Sequence, residues 1–249
     1  VAKVAMHNTA RAIGVGALVA LFAWTLYAMT HAAPAWWRSR RPADPAAVKA
    51  AEEVENGLVT QFSSVRPGDP KFEPRPGQSW QSEKWSVSLS EDDANAWLNE
   101  RLRKWMTTRD SGVRWPEDVQ EIQVDMAPGV LHVGTKVRTS SGPRVLALSV
   151  RPLVASDGAL WVPADGVQLG TIPLPSSLVL VWAEHAVLEL FPESTEVRAD
   201  TQTVLDAFLG RSAIVRDPVV KLEGGRRVRL LGIVAHDGRM DLTFRTEKK

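Results

Sequence analysis

From Ala12 to Met29 the chain reads AIGVGALVALFAWTLYAM, eighteen residues without a charge. As a helix this run would rise about 27 Å, close to the ~30 Å hydrocarbon core of a bilayer. Thr30 to Trp37 extend it by eight uncharged positions if His31 is neutral, and the arginines Arg38, Arg40 and Arg41 then close it. Trp24 and Tyr27 lie in its distal half, and Trp36 and Trp37 stand just before the arginines, where amphipathic rings favour a membrane interface. The expectation is one membrane anchor over residues 12–31. Ala33-Pro34-Ala35 offers the small-residue spacing of a signal-peptide cleavage site, but its central proline and the length of the apolar run favour a retained anchor. A buried core helix fits less well, because so long an uncharged run has no polar face for water.

Charge divides at the same place. Residues 1–41 hold five bases and no acid, whereas the rest of the chain carries a net −4. The bases on either side of the run nearly balance, so the positive-inside rule does not orient it. An eleven-residue leader ahead of a long domain is the arrangement of an N-in anchor, which places residues 42–249 in an extracytoplasmic, periplasmic setting. The overall charge of +1 argues against nucleic acid as a partner. With no cysteine, disulfides, thiolate nucleophiles and cysteine-held metals are excluded.

Beyond the anchor, Asp44-Pro45 opens a helix whose Ala47, Ala50, Ala51, Val54, Leu58 and Phe62 share one face. Residues 63–79, with four prolines and two glycines, predict a linker. Trp85, Val87 and Leu89 alternate with polar residues as a strand, and Ser90 then caps a helix whose first turn holds Glu91, Asp92 and Asp93 at the positive end of its dipole. Ala94, Trp97, Leu98, Leu102 and Trp105 form its apolar stripe. Strands follow around residues 122–126, 130–137, 144–154 and 160–167, too closely spaced for crossover helices, so an antiparallel meander is predicted. Ile172-Pro173-Leu174-Pro175 should break the sheet before a helix from Ser176 or Ser177 to Leu190, carrying Leu178 and Trp182 on its buried side. A short helix over 200–209, with Val204, Leu205 and Phe208 inward, and three C-terminal strands complete the reading. The domains are thus residues 1–31, leader and transmembrane anchor; 32–79, juxtamembrane helix and Pro/Gly-rich linker; and 80–249, an extracytoplasmic α+β domain.

No catalytic constellation emerges. The five histidines lack metal-ligand spacing, and phosphate loops, dinucleotide fingerprints and nucleophile elbows are missing, so no catalytic residue, metal or cofactor is expected. A hydrolase with dispersed site residues is the remaining enzymatic alternative. Arg226, Arg227 and Arg229 suit either anionic lipid heads or protection of a strand edge. Asn95 is expected to satisfy neighbouring backbone.

Two segments, WSVSLSEDDANAWLNERL at 85–102 and GVQLGTIPLP at 166–175, resemble the YpmS-like single-pass bacterial membrane proteins. The matching positions are Asn95, Trp97, Leu98, Gly170, Pro173 and Pro175. This resemblance implies a fold similar to tubular lipid-binding domains, in which a curved antiparallel sheet wraps one or two helices and leaves an apolar groove. The expected function is a non-enzymatic, membrane-anchored domain that binds a lipid or other apolar ligand between sheet and helix. The groove candidates are Trp97, Leu98, Leu102, Trp105, Leu178 and Trp182. A structural accessory subunit of a larger membrane or envelope protein complex is the alternative.

Overall fold

A computed structural model describes residues 21–38, 45–73, 76–104, 117–175 and 195–248. It is an α+β protein with antiparallel sheets. The first sheet has the order β10–β11–β12, with β1 and β2 both paired to the far side of β12. Its strands are β1 (Trp80–Gln81), β2 (Trp85–Ser90), β10 (Val219–Lys221), β11 (Arg226–His236) and β12 (Arg239–Lys248). The second sheet has the order β3–β4–β5–β8–β9, from Val119–Ala127, Val130–Thr139, Gly142–Val150, Ala164–Leu169 and Ile172–Leu174. A small hairpin, β6 (Leu153–Val154) with β7 (Leu160–Trp161), lies between its strands in sequence.

The two sheets meet at hairpin tips. Gly129 N–H donates to Ala235 O, and Gly238 N–H donates to Met126 O, so the β3–β4 turn abuts the β11–β12 turn.

The helices are α1 over residues 21–31, α2 (Pro45–Ser63), α3 (Glu91–Trp97) continuing as a π turn (Leu98–Leu102), and α4 (Thr195–Phe208). Every one of the predicted inward positions of α2 is buried or half-buried, and Ala51 is fully covered. The helix lies on α3, where Arg101 Nε reaches Glu55 at 2.7 Å, and Phe62 closes an aromatic cluster with Trp85 and Phe244. The predicted linker folds back as well: Asp69 N–H donates to Gln81 O and Ser79 N–H to Lys248 O. The cap of α3 is as expected, since Asp93 N–H donates to Ser90 Oγ at 3.1 Å. Ser90→Ala should cost about 1 kcal/mol, read as a lower unfolding temperature of the full chain in detergent.

Four sequence expectations are corrected. Pro173 does not break the sheet, because β9 is an edge strand and Pro173 sits opposite Gln168, one pair beyond the pair that closes the Gly170-Thr171 turn; the strand stops at Leu174, directly before Pro175. Ladder alternation makes that a non-hydrogen-bonded pair, so proline's missing N–H faces away from β8. β11 is interior rather than an edge, and two of its three arginines are spent on ion pairs: Arg227 and Arg229 each place Nε 2.9 Å from Glu247, and Arg229 also pairs with Asp217, while Arg226 donates to Ser63 O. Val204 is 38% exposed, while Leu205 and Ala207 of the same helix are buried. The π turn breaks the regular spacing expected after Trp97, with the Asn99 side chain donating to the Asn95 carbonyl that an uninterrupted α-ladder would use.

No helix among the described residues is long and apolar enough to cross a membrane. Residues 12–20 of the expected span, Trp105, Leu178, Trp182 and the helix expected over 176–190 lie outside the described residues.

Candidate functional site

The site is built around the face of the second sheet that meets α3. Register places Ile122, Val124 and Met126 of β3 on one side, opposite Thr135, Val133 and Leu131 of β4, which in turn face Leu146, Leu148 and Val150 of β5. Leu148 and Leu146 continue the rows to Val167 and Leu169 of β8, and these to Leu174 and Ile172 of β9. Directly paired residues share a face, so this is one apolar surface five strands wide.

Its two halves differ in cover. Under α3 it is packed: Ala94, Val124 and Met126 are buried, with Leu89, Leu98, Leu131, Val133 and Met240 against them. Leu98 therefore belongs to the core there. Farther across, Leu146 is 46% exposed and Leu148, Leu169, Ile172 and Leu174 are half-buried. Trp97 and Leu102 are half-buried on α3 and its π turn.

Asparagines fasten α3 to the sheet edge. Asn95 Nδ2 donates to Val124 O at 2.8 Å, and Val124 N–H donates to Asn95 Oδ1 at 2.7 Å. One turn on, Asn99 repeats the exchange with Ile122, at 2.6 and 3.1 Å. The outward backbone groups of edge strand β3 are thereby paired by a helix that has no strand ladder to offer. Glu91, 5% exposed, does more than favour the helix dipole: Met126 N–H donates to its Oε2 at 3.1 Å, and Arg38 Nη2 stands 3.0 Å from Oε1.

The opposite face of the same sheet carries the chain that leaves α1. Met29 O accepts from Thr171 N–H at 3.0 Å and from its hydroxyl at 3.2 Å, and His31 Nε2 lies 3.2 Å from Ser141 O. Trp36 stacks on His132 with centroids 5.8 Å apart, and both Trp36 and Trp37 cover Gly134. A Cβ at Gly134 would sit 2.6 Å from the Trp36 ring and 2.7 Å from that of Trp37. Gln123, 3% exposed, accepts the Arg38 N–H at 3.0 Å and donates back to the Arg38 carbonyl. Residues 29–38 thus form a strap bonded across the sheet. Sequence reasoning missed it; a glycine inside the predicted strand 130–137 was the available signal, since it marks close approach by another group.

Between strap, α2 and α3 is a cleft of about 420 Å³, whose polar wall is Arg38, Asp92, Asp93, Asn95 and Gln123 and whose other wall is alanines of α2. None of the described groove candidates lines it.

Two polar groupings could pass for catalytic ones. Asp125, His132 and Ser149 are in register across β3, β4 and β5, and His132 Nδ1 is 2.7 Å from Ser149 Oγ. Acyl transfer also needs donors for the oxyanion, and in the middle of three paired strands the ladder claims the backbone amides. Trp36 further covers the imidazole. In the second grouping Asp241 is central: Ser88 donates to it, and His236 Nε2 lies 3.1 Å from its other oxygen. The Ser88 hydroxyl, with Arg239 and His236 behind it and burial opposing, holds this carboxyl below its usual range, while serine and histidine are bonded to the acid, not to each other. Among the described residues no group of three or more histidines or acids is placed to hold a metal ion.

No family model matches the chain, and neither a curated protein nor a solved structure matches it.

Proposed function

We propose that this chain is a membrane-anchored, non-enzymatic domain that holds an acyl chain or other apolar ligand on the α3-facing side of its second sheet. The observation that carries the reading is the half-open apolar surface of Leu146, Leu148, Leu169, Ile172 and Leu174, continuous with Leu98 and the core under α3. Aliphatic side chains left partly exposed in one contiguous patch mark a place for an apolar partner. The resemblance to YpmS-like proteins belongs to this proposal and points the same way.

The anchor is supported by α1. Leu21, Phe22, Trp24, Leu26 and Tyr27 are all 39% exposed or more, and every residue from 21 to 27 is exposed, so none of the described residues buries this end of the helix on any side. Apolar surface on all sides of a helix suits lipid rather than water. Retention of the anchor is supported by the strap, because Met29 and His31, ahead of Ala33-Pro34-Ala35, bond to the domain. With an N-in anchor the domain is extracytoplasmic.

Native mass spectrometry of the full chain in mild detergent should find bound lipid. Leu146→Glu should abolish most of it without lowering the unfolding temperature, since that side chain is already 46% exposed. A lipid-free wild-type mass, or equal lipid on the variant, would refute the reading. The accessory-subunit alternative is favoured by the strap, which fixes the domain relative to its helix; stoichiometric protein partners in the same preparation would support it.

A further inference from the structure

We infer that the β4–β5 and β8–β9 turns are a headgroup-contacting surface, pressed against the bilayer by the strap; this rests on the membrane-anchored reading. The two turns hold the end of α1. Thr171 donates twice to Met29 O, Gly170 packs against the carbonyls of Met29 and Ala32, and Ser141 O receives His31. Tyr27, exposed, lies tilted against the His31 ring, with centroids 4.3 Å apart. Residue 27 is therefore the last exposed residue of α1, and Met29 already touches the turns, about 3 Å farther along the helix axis. A helix bare on all sides projects from the body instead of lying along it. The body's nearest surface to the bilayer is then the tip that grips the helix.

The chemistry of that tip fits phospholipid heads. Residues 138–144 read RTSSGPR, two arginines and two serines with no acid. Arg138, Ser140 and Ser141 are exposed, and Arg144 Nη2 donates to Ser141 Oγ at 2.9 Å. Guanidinium and hydroxyl groups at this depth meet phosphate oxygens, and arginine stems extend along the interface. Trp36 and Trp37 are not free to provide the contact, being committed to Gly134.

The absence of cysteine permits a direct test. Ser140→Cys and, separately, Asp237→Cys would each carry a fluorophore, in the full chain reconstituted into phosphatidylcholine–phosphatidylglycerol vesicles. Asp237, in the β11–β12 turn of the first sheet, lies beyond the opposite end of the second, since β4 runs the ~30 Å from the Thr139 tip to the Gly129 turn that abuts Ala235. A lipid with a nitroxide on its headgroup should quench the label at 140 several-fold more than that at 237. Equal quenching, or none at 140, in a chain that resists carbonate extraction overturns this surface and leaves the anchor standing. A chain that carbonate removes overturns both.

Discussion

Replacing Asn95 and Asn99 together by leucine is expected to unfold the domain or bring it close to unfolding. Each amide serves one N–H and one C=O of edge strand β3, and each leucine would leave both without a partner. At about 1–3 kcal/mol for a buried polar group left unpaired, one substitution should cost about 2–6 kcal/mol and the pair about 4–12 kcal/mol. Typical domain stabilities are only about 5–15 kcal/mol. Val124 is 8% exposed, so water cannot readily replace the lost partner there. Leucine is close in volume, and a packing loss would not account for the effect. The measurement is chemical denaturation of the single and double variants in detergent. A double variant within about 0.5 kcal/mol of wild type, the range of neutral surface changes, would mean that the asparagines do not dock α3.

Gly170→Val is expected to unseat the strap while leaving the sheets folded. Gly170 has φ +62°, and a Cβ there would lie 2.3 Å from Met29 O and 2.8 Å from Ala32 O. Left-handed backbone costs an ordinary residue about 1–2 kcal/mol, and the two carbonyls cannot yield without moving the end of α1. The strap amides at Ala32, Trp37 and Arg38 and the Thr171 amide are hydrogen-bonded in the native chain. Their hydrogen exchange should accelerate about tenfold or more, the equivalent of about 1.4 kcal/mol, while amides of β4 and β5 exchange as before. Gly166→Ala is the control, because a Cβ there meets nothing within 4 Å. Unchanged exchange at 32–38 in the valine variant would show that the strap does not depend on this turn.

The sequence disclosed what local chemistry decides. Ser90 and its acidic followers mark the start of α3, alternation at Trp85, Val87 and Leu89 marks β2, and the inward face of α2 is correct residue by residue. The antiparallel meander follows from turn residues and short spacings. Features set by neighbours distant in sequence were not legible. Whether Pro173 ends a sheet depends on which strand is the edge, and whether Arg227 and Arg229 guard an edge depends on β10 lying outside them. Gln123 gives no hint in sequence that it will be buried against the Arg38 backbone. Of the groove candidates, Leu98 went to the core because the π turn and the asparagine bonds draw α3 onto β3, and the open part of the apolar face belongs to Leu146, Leu148 and Leu169 of β5 and β8, whose exposure was not visible in sequence, and to Ile172 and Leu174 of β9, a strand the prolines concealed. The strap escaped because an uncharged segment rich in tryptophan looks the same whether it meets lipid or a glycine in a sheet.

A photoactivatable fatty acid offered to the full chain in nanodiscs tests the apolar-ligand account most directly. Crosslinks should appear on the peptides bearing Leu146 and Leu148 and on residues 169–174, should be displaced by excess unlabelled fatty acid, and should vanish from those peptides in Leu146→Glu. Labelling confined to the exposed end of α1, undiminished by competitor, would show contact with bulk lipid alone and contradict a ligand held on the sheet.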